Sequence, residues 1–320
     1  MFAHETRPAT FLEKARFSLA LTRAEALGRT DWILFSHLAL AQIQQTIPAR
    51  LRCRYGVFLH GIEAWKTLSA REQRVLAAAD VRVANSHYTA ARVMEMYPAI
   101  GPIDACPLGL LPGGCEAPAD GAALPPLGRH AVLVVGRMLG SERYKGHDQL
   151  IDAWPHVVAR VHDAQLVFAG SGDDLQRLRS RAAESPAGAS IVFTGFVARP
   201  TLSALYDRAA VFALPSRGEG FGLVYLEAMA HRLACVGSIH DAAPEVIVDG
   251  VTGQLVDQDN VPGMADTLAT LLLDESRRRA MGEAGYERVA REFTFDRFSD
   301  RLRELLRARS VAPATAATYD

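Results

Sequence analysis

Residues 131–170 read AVLVVGRMLGSERYKGHDQLIDAWPHVVARVHDAQLVFAG, and the periodicity of this stretch decides the fold class. VLVVG (132–136) and QLVFAG (165–170) are short apolar runs ending in glycine, and GHDQLIDAWPHVVARV (146–161) between them carries its apolar residues at helical spacing. An unbroken Val/Leu/Phe run is the signature of a strand buried on both faces, and a strand–helix–strand unit joins two parallel strands. The alternation continues through DDLQRLRSRAA, IVFTG, TLSALYDRAA, VFALP and SRGEGFGLVYLEAMAHRLACV (216–236). The strand ends GR, GSGD, TG and PSR are polar and glycine-rich, so a ligand is expected at the carboxyl edge of a parallel sheet covered by helices.

Upstream, the same alternation recurs in shorter form. WILFSH, YGVFLHG and VRVANS read as strands, and 8–27, 38–49, 69–79 and 87–97 as helices. The segment LGLLPGGCEAPADGAALPPLG (108–128) is dense in Pro, Gly and Ala, the composition of a linker. The chain of 320 residues also exceeds the about 250–300 residues over which one core keeps growing. The expected organisation is an α/β protein with an N-terminal Rossmann-like lobe (1–108), a linker (109–128), a second Rossmann-like lobe (129–294), a helix (295–310) returning to the first lobe, and an unstructured tail (311–320).

Composition removes several function classes. Hydrophobic residues make up 49% and charged residues 22%, an ordinary globular balance, and the net charge of -1 gives no basic field for nucleic acid. The four cysteines, Cys53, Cys106, Cys115 and Cys235, form no CxxC pair, which argues against a zinc site or disulfide framework and for a cytoplasmic protein. No apolar run reaches the about 18 to 20 residues that span a bilayer, and the first residues lack a signal-peptide layout.

Within 216–236, two acidic residues, Glu219 and Glu227, stand eight positions apart in an apolar setting. Gly220 and Gly222 suit a tight turn, so Glu219 falls in the turn and Glu227 on a helix beginning near Gly222. At about 1.5 Å rise per residue, Glu227 lies about 7 to 8 Å along the axis from Gly222. The two carboxylates therefore hold different ends of an elongated ligand, accepting hydrogen bonds from hydroxyls of the kind sugars and riboses supply. The helix N-terminus favours an anion, and Arg137 with Lys145 in GRMLGSERYKG offers the planar fork and point charge that a diphosphate needs.

Other features read as structure. Ser86 in ANSHYTAARV precedes an amphipathic run, the place of an N-cap. GSGDD (170–174) reads as a turn and helix start, and Asp173 with Asp174 is not needed as a metal pair, because the cations above supply the charge. Glu63 stands between a helix-starting acid and a functional one.

Several motifs in one order, HGIEAW (60–65), GR(x7)KG (136–146), LVFAGSGDD (166–174), FTGFV (193–197), PSRGEGFGLVYLEAMA (215–230) and APEVIVDGVTGQLV (243–256), resemble the retaining glycosyltransferases of the GT-B fold, family 4 or "group 1" type. The resemblance spans most of 55–305. It implies that Glu219 contacts donor-sugar hydroxyls and that Phe221 to Leu223, with Gly220 and Gly222, bring backbone amides to sugar and diphosphate. Glu227 would hold the ribose, Arg137 and Lys145 would neutralise the diphosphate beside Gly136, and Gly195 and Phe196 would complete the donor site. His60 would approach the donor sugar from the other lobe and join Glu219, Arg137 and Lys145 as the catalytic set.

The resemblance also marks departures. Members of the family usually open with a strand and glycine-rich loop, whereas MFAHETRPATFLEKARF is similar to the middle of that lobe, so the N-terminal lobe is expected to be incomplete. His231 stands where the family commonly has a small residue or cysteine. The implied activity is transfer of a hexose from a UDP- or GDP-sugar to a hydroxyl of a glycan or lipid-linked sugar, with retention and without a metal or other cofactor. A sugar-nucleotide-binding protein dependent on a partner, and a GT-B-like epimerase, are the alternatives. Finally, RPATFLEKARFSLALTRAEALGR (7–29) places Phe11, Ala15, Leu19, Ala26 and Leu27 on one helical face and Lys14, Arg16, Arg23 and Arg29 elsewhere. That layout fits peripheral binding to an anionic membrane, and it equally fits an internal helix packing on the sheet through the same residues.

Overall fold

The structure, a computed structural model, describes residues 11–28, 31–111 and 127–310. The chain divides into two compact units, residues 1–107 with 298–320, and residues 108–297.

In the first unit, β1 (Trp32–Phe35), β2 (Arg54–Leu59), β3 (Val81–Ala84) and β4 (Asp104–Ala105) form a parallel sheet in that order. All of β2 beyond its first residue is buried, which is why YGVFL runs apolar without alternation. Helix Ala70–Ala77 starts on a capping box in which Ser69 and Glu72 satisfy each other's backbone amides. Helix His87–Met96 starts on Ser86, whose hydroxyl accepts the Thr89 amide at 3.0 Å, the capping role expected of it. From Phe298 the chain rejoins this unit, with Phe298 edge-on to Phe58 at 6.3 Å and Arg309 paired with Asp104 at 3.0 Å.

The single helix expected over 38–49 is broken. A four-residue helix (Leu38–Ala41) gives way to a 3-10 turn (Gln42–Thr46). The Thr46 hydroxyl donates to the Ile43 carbonyl at 2.8 Å, and Ile47 is extended because it precedes Pro48, whose ring disfavours a helical residue before it. The helix expected over 8–27 is observed as Phe11–Ala26. Leu21 packs on the core, whereas Leu19 is 71% and Leu27 56% exposed. These two members of the expected apolar face are thus not the ones that pack, and the side chains of Phe11, Lys14, Ala15, Ala26 and Arg29 lie outside the described residues. So do most of the expected linker and the whole expected tail. Among the described residues, no helix is long and apolar enough to cross a membrane.

The second unit carries a six-stranded parallel sheet in the order β10-β9-β8-β5-β6-β7, formed by β5 (His130–Val135), β6 (Ala164–Ala169), β7 (Ile191–Gly195), β8 (Val211–Ala213), β9 (Ala234–Ser238) and β10 (Gly253–Val256). The chain proceeds outward from β5 through β6 to β7, then returns to β8 on the other side of β5 and proceeds outward again. The order therefore reverses between β5 and β8. In open parallel sheets ligands bind outside the carboxyl ends of the strands at such a switch point, here next to Gly136 and Leu214. Helix His147–Arg160 seals the sheet with Leu150, Ile151, Trp154 and Val157, all buried, and the Trp154 indole donates to the Ser190 hydroxyl at 2.8 Å.

Candidate functional site

Two loops meet at the switch point of the second unit. The first leaves β5 and runs from Gly136 to Gly146. It is pinned from outside: the Gly140 amide donates to Asp173 at 2.7 Å, the Asp174 amide donates to the Met138 carbonyl at 2.9 Å, and Arg143 pairs with Asp174 at 2.8 Å. Arg177 grips Asp174 from its own helix and, with Arg143, holds that carboxyl far below the usual carboxylate range. Asp173 and Asp174 are thus occupied as loop anchors ahead of helix Leu175–Glu184. Gly146 ends the loop at φ +83, and a Cβ there would meet the Pro215 carbonyl oxygen at 2.4 Å, so this contact between the loops requires glycine.

The second loop leaves β8 and runs from Leu214 to Gly222. The Arg217 amide donates to the Tyr144 carbonyl at 2.9 Å, joining the loops by their backbones. Glu219 is fixed from behind. Its amide donates to Asp241 at 3.1 Å, and its carbonyl accepts the Ala242 amide at 3.2 Å. Asp241 also accepts the Ala243 amide at 2.9 Å. Burial, aided by the charge of Glu219, pushes the Asp241 carboxyl up to about 7, although the two amides and the Ser216 hydroxyl pull it down. Gly222, at φ +91, turns the chain into helix Leu223–Ala230, whose N-terminus has no side-chain cap and so presents backbone amides to an anion.

The charged side chains converge where the loops meet. The Lys145 ammonium lies 3.5 Å from Glu219 Oε2 and 3.8 Å from Glu142 Oε2, and Arg137 donates to Glu142 Oε1. Arg137 is 65% exposed and Lys145 13%, so the pair offers one exposed and one sheltered cation. Tyr144 lies over Gly218, where any Cβ would fall 2.7 Å from its ring. The structure thus brings Arg137, Lys145 and Glu219 together, beside Gly136 and the Gly220–Leu223 turn.

Glu227 stands apart on its helix. Burial raises its carboxyl, opposed by a hydrogen bond from the Tyr206 hydroxyl at 3.1 Å. Tyr206 stacks on His231 with centroids 5.2 Å apart, and His231 is held by Asp207 at 2.7 Å. Gly195 closes β7 at φ +72, and Phe196 beyond it is 55% exposed. In the first unit, the His60 ring nitrogen Nε2 lies 2.7 Å from the Ser36 carbonyl and donates to it. Glu63 accepts the His60 amide at 2.5 Å in the first turn of helix Ile62–Trp65, a structural role.

Sequence reasoning missed Glu142, Tyr206 and Asp241. Glu142 had one legible signal, its place three residues before Lys145 inside the cation-bearing segment. The other two act across 21 and 22 residues of chain, a separation at which no local pattern operates.

The family model for glycosyl transferases group 1 matches residues 122–288. A GDP-mannose-dependent alpha-(1-6)-phosphatidylinositol monomannoside mannosyltransferase of Mycobacterium tuberculosis is 34% identical over 274 residues, 79% of this chain and 69% of that protein. A phosphatidyl-myo-inositol mannosyltransferase of Mycolicibacterium smegmatis is 37% identical over 161 residues, 50% of this chain and 40% of that protein. Among solved structures, sucrose-phosphate synthase from Thermosynechococcus elongatus superposes with a TM-score of 0.80 at 22% identity, covering 98% of this chain and 83% of its own. HepE of Anabaena in complex with UDP gives 0.73 at 18% identity, covering 91% and 82%. The two parallel-sheet units are those of the GT-B fold that the sequence predicts, and the chain belongs to the group 1 glycosyl transferases.

Proposed function

We propose that the protein is a retaining mannosyltransferase that uses GDP-mannose and glycosylates a hydroxyl of a lipid-linked or glycan acceptor. The observation that carries the reading is the Lys145 ammonium, sheltered between Glu142 and Glu219 at the β5/β8 switch point with Arg137 beside it. GDP-mannose is chosen over UDP-hexoses because a relative matched along 79% of the chain carries that donor in its name.

In this reading, Arg137, Lys145 and the amides of Phe221 to Leu223 take the diphosphate, and Glu227 takes the ribose diol. Glu219 accepts hydrogen bonds from the mannose hydroxyls, while Gly195 and Phe196 flank the donor. The bond from the anomeric carbon to the leaving phosphate oxygen breaks, the acceptor oxygen bonds to that carbon on the same face, and its proton passes to the departing diphosphate. Arg137, Lys145 and the helix N-terminus stabilise the charge that develops there, so no metal is required. The enzyme acts on the cytoplasmic membrane surface, where a lipid-linked acceptor resides.

Incubation of the protein with GDP-mannose, and separately with UDP-glucose, in the presence of lipid extract tests this. Mannosylated product with the donor's anomeric configuration, formed equally in EDTA, supports it. Hexose release only from UDP-glucose, or inversion in the product, overturns it.

A further inference from the structure

Glu142 interrupts the 3-10 turn at φ -120, ψ 27 and turns its side chain inward, to 11% exposure. One of its carboxylate oxygens meets Arg137, and the other is shut from solvent without a hydrogen-bond partner, with the Lys145 ammonium 3.8 Å away. A buried carboxylate oxygen without a donor is unfavourable unless nearby cations offset it. The other charged groups facing this spot are already engaged. Glu219 shares Lys145, Asp173 holds the Gly140 amide, and Asp174 holds Arg143 and Arg177. Tyr144 is kept uncharged by burial and by the charges of Glu142 and Glu219. Glu142 alone thus meets both cations read as diphosphate ligands, and it has no other ion-pair partner in the described residues.

We propose that Glu142 is the resident counter-anion of Arg137 and Lys145: it orients both in the donor-free protein and competes with the diphosphate for them. It is a positioning residue, and its charge speeds release of the nucleoside-diphosphate product. The inference rests on the donor reading above. A residue that merely braced the loop would weaken diphosphate binding when altered, whereas removal of a competing charge strengthens it.

The test is calorimetric titration of GDP into the full chain and its Glu142→Gln and Glu142→Asp variants, with kcat and KM for GDP-mannose measured alongside. Glu142→Gln is expected to bind GDP about tenfold tighter at low salt, as for one like charge removed at close range, and the gain should shrink as salt rises. KM and kcat should fall together, because product is retained. Glu142→Asp keeps the charge and should restore wild-type behaviour. Unchanged or weaker GDP binding by Glu142→Gln, or an Asp variant that behaves like the Gln variant, overturns the inference and leaves the donor reading standing. Failure of the wild type to bind GDP, UDP or inorganic pyrophosphate overturns both.

Discussion

Replacement of Asp241 by Asn probes how Glu219 is held. Asp241 is 2% exposed and accepts the Glu219 and Ala243 amides on separate oxygens. Asn supplies only one acceptor oxygen and turns an N–H toward the other amide, so the substitution loses one hydrogen bond and leaves a buried donor unmet, at about 1 to 3 kcal/mol. The pH dependence is more specific. Burial pushes the Asp241 carboxyl from 3.8 up to about 7 in the folded protein, so between these values the native state binds more protons than the unfolded one. This group's contribution to stability is full below pH 3.8, falls by up to about 1.4 kcal/mol per pH unit as pH rises, and is gone above 7. Asn does not titrate. Denaturant unfolding of both proteins from pH 4.5 to 8 should therefore show a destabilisation by Asp241→Asn that is largest at the acid end and shrinks toward pH 7. A penalty that grows with pH would show that the three donors around Asp241 outweigh its burial and that the clamp is ionised.

The remaining expectations concern the nucleotide end of the site and the N-terminal helix. Glu227→Ala should weaken GDP binding by about 1.5 to 3 kcal/mol, the contribution of a charged hydrogen bond, and unchanged calorimetric affinity would remove the ribose assignment. Tyr206→Phe deletes the hydrogen bond that lowers the Glu227 carboxyl, so the acid limb of the GDP-binding pH profile should move to higher pH; an unmoved limb would separate Tyr206 from the site. Leu19 and Leu27 are exposed on or beside helix Phe11–Ala26, so the protein should co-sediment weakly with anionic liposomes at low salt and leave them at high salt. Binding that ignores lipid charge, or none at all, would count against a membrane-surface acceptor.

What the sequence made legible and what it hid divide along a physical line. VLVVG, QLVFAG and VFALP were readable as strands because burial on both faces leaves no polar alternation, and the carboxyl-edge location of Arg137 and Glu219 followed from where those runs stop. The strand order did not follow, since the switch between β5 and β8 is set by which helix covers which face. Nor was β4 foreseen, for two residues paired with β3 carry no periodicity. The break at Gln42–Thr46 depends on Pro48 and the Thr46 hydroxyl, signals that lie inside the expected helix yet are weaker than its apolar spacing. Within the site, Tyr206 and Asp241 take their roles only once separate elements fold together, and Glu142 once its loop bends it back onto Arg137 and Lys145. Gly146 and Gly218 leave room for the two loops to meet, at Pro215 and at the Tyr144 ring.

Binding of a sugar-nucleotide diphosphate by Arg137 and Lys145 at the switch point is read by calorimetric titration of GDP and of guanosine into the wild type and the Arg137→Ala, Lys145→Ala double variant. The double variant should lose GDP binding, while guanosine binds as weakly as it does to the wild type. Equal binding of GDP to both proteins would remove Arg137 and Lys145 as the diphosphate ligands.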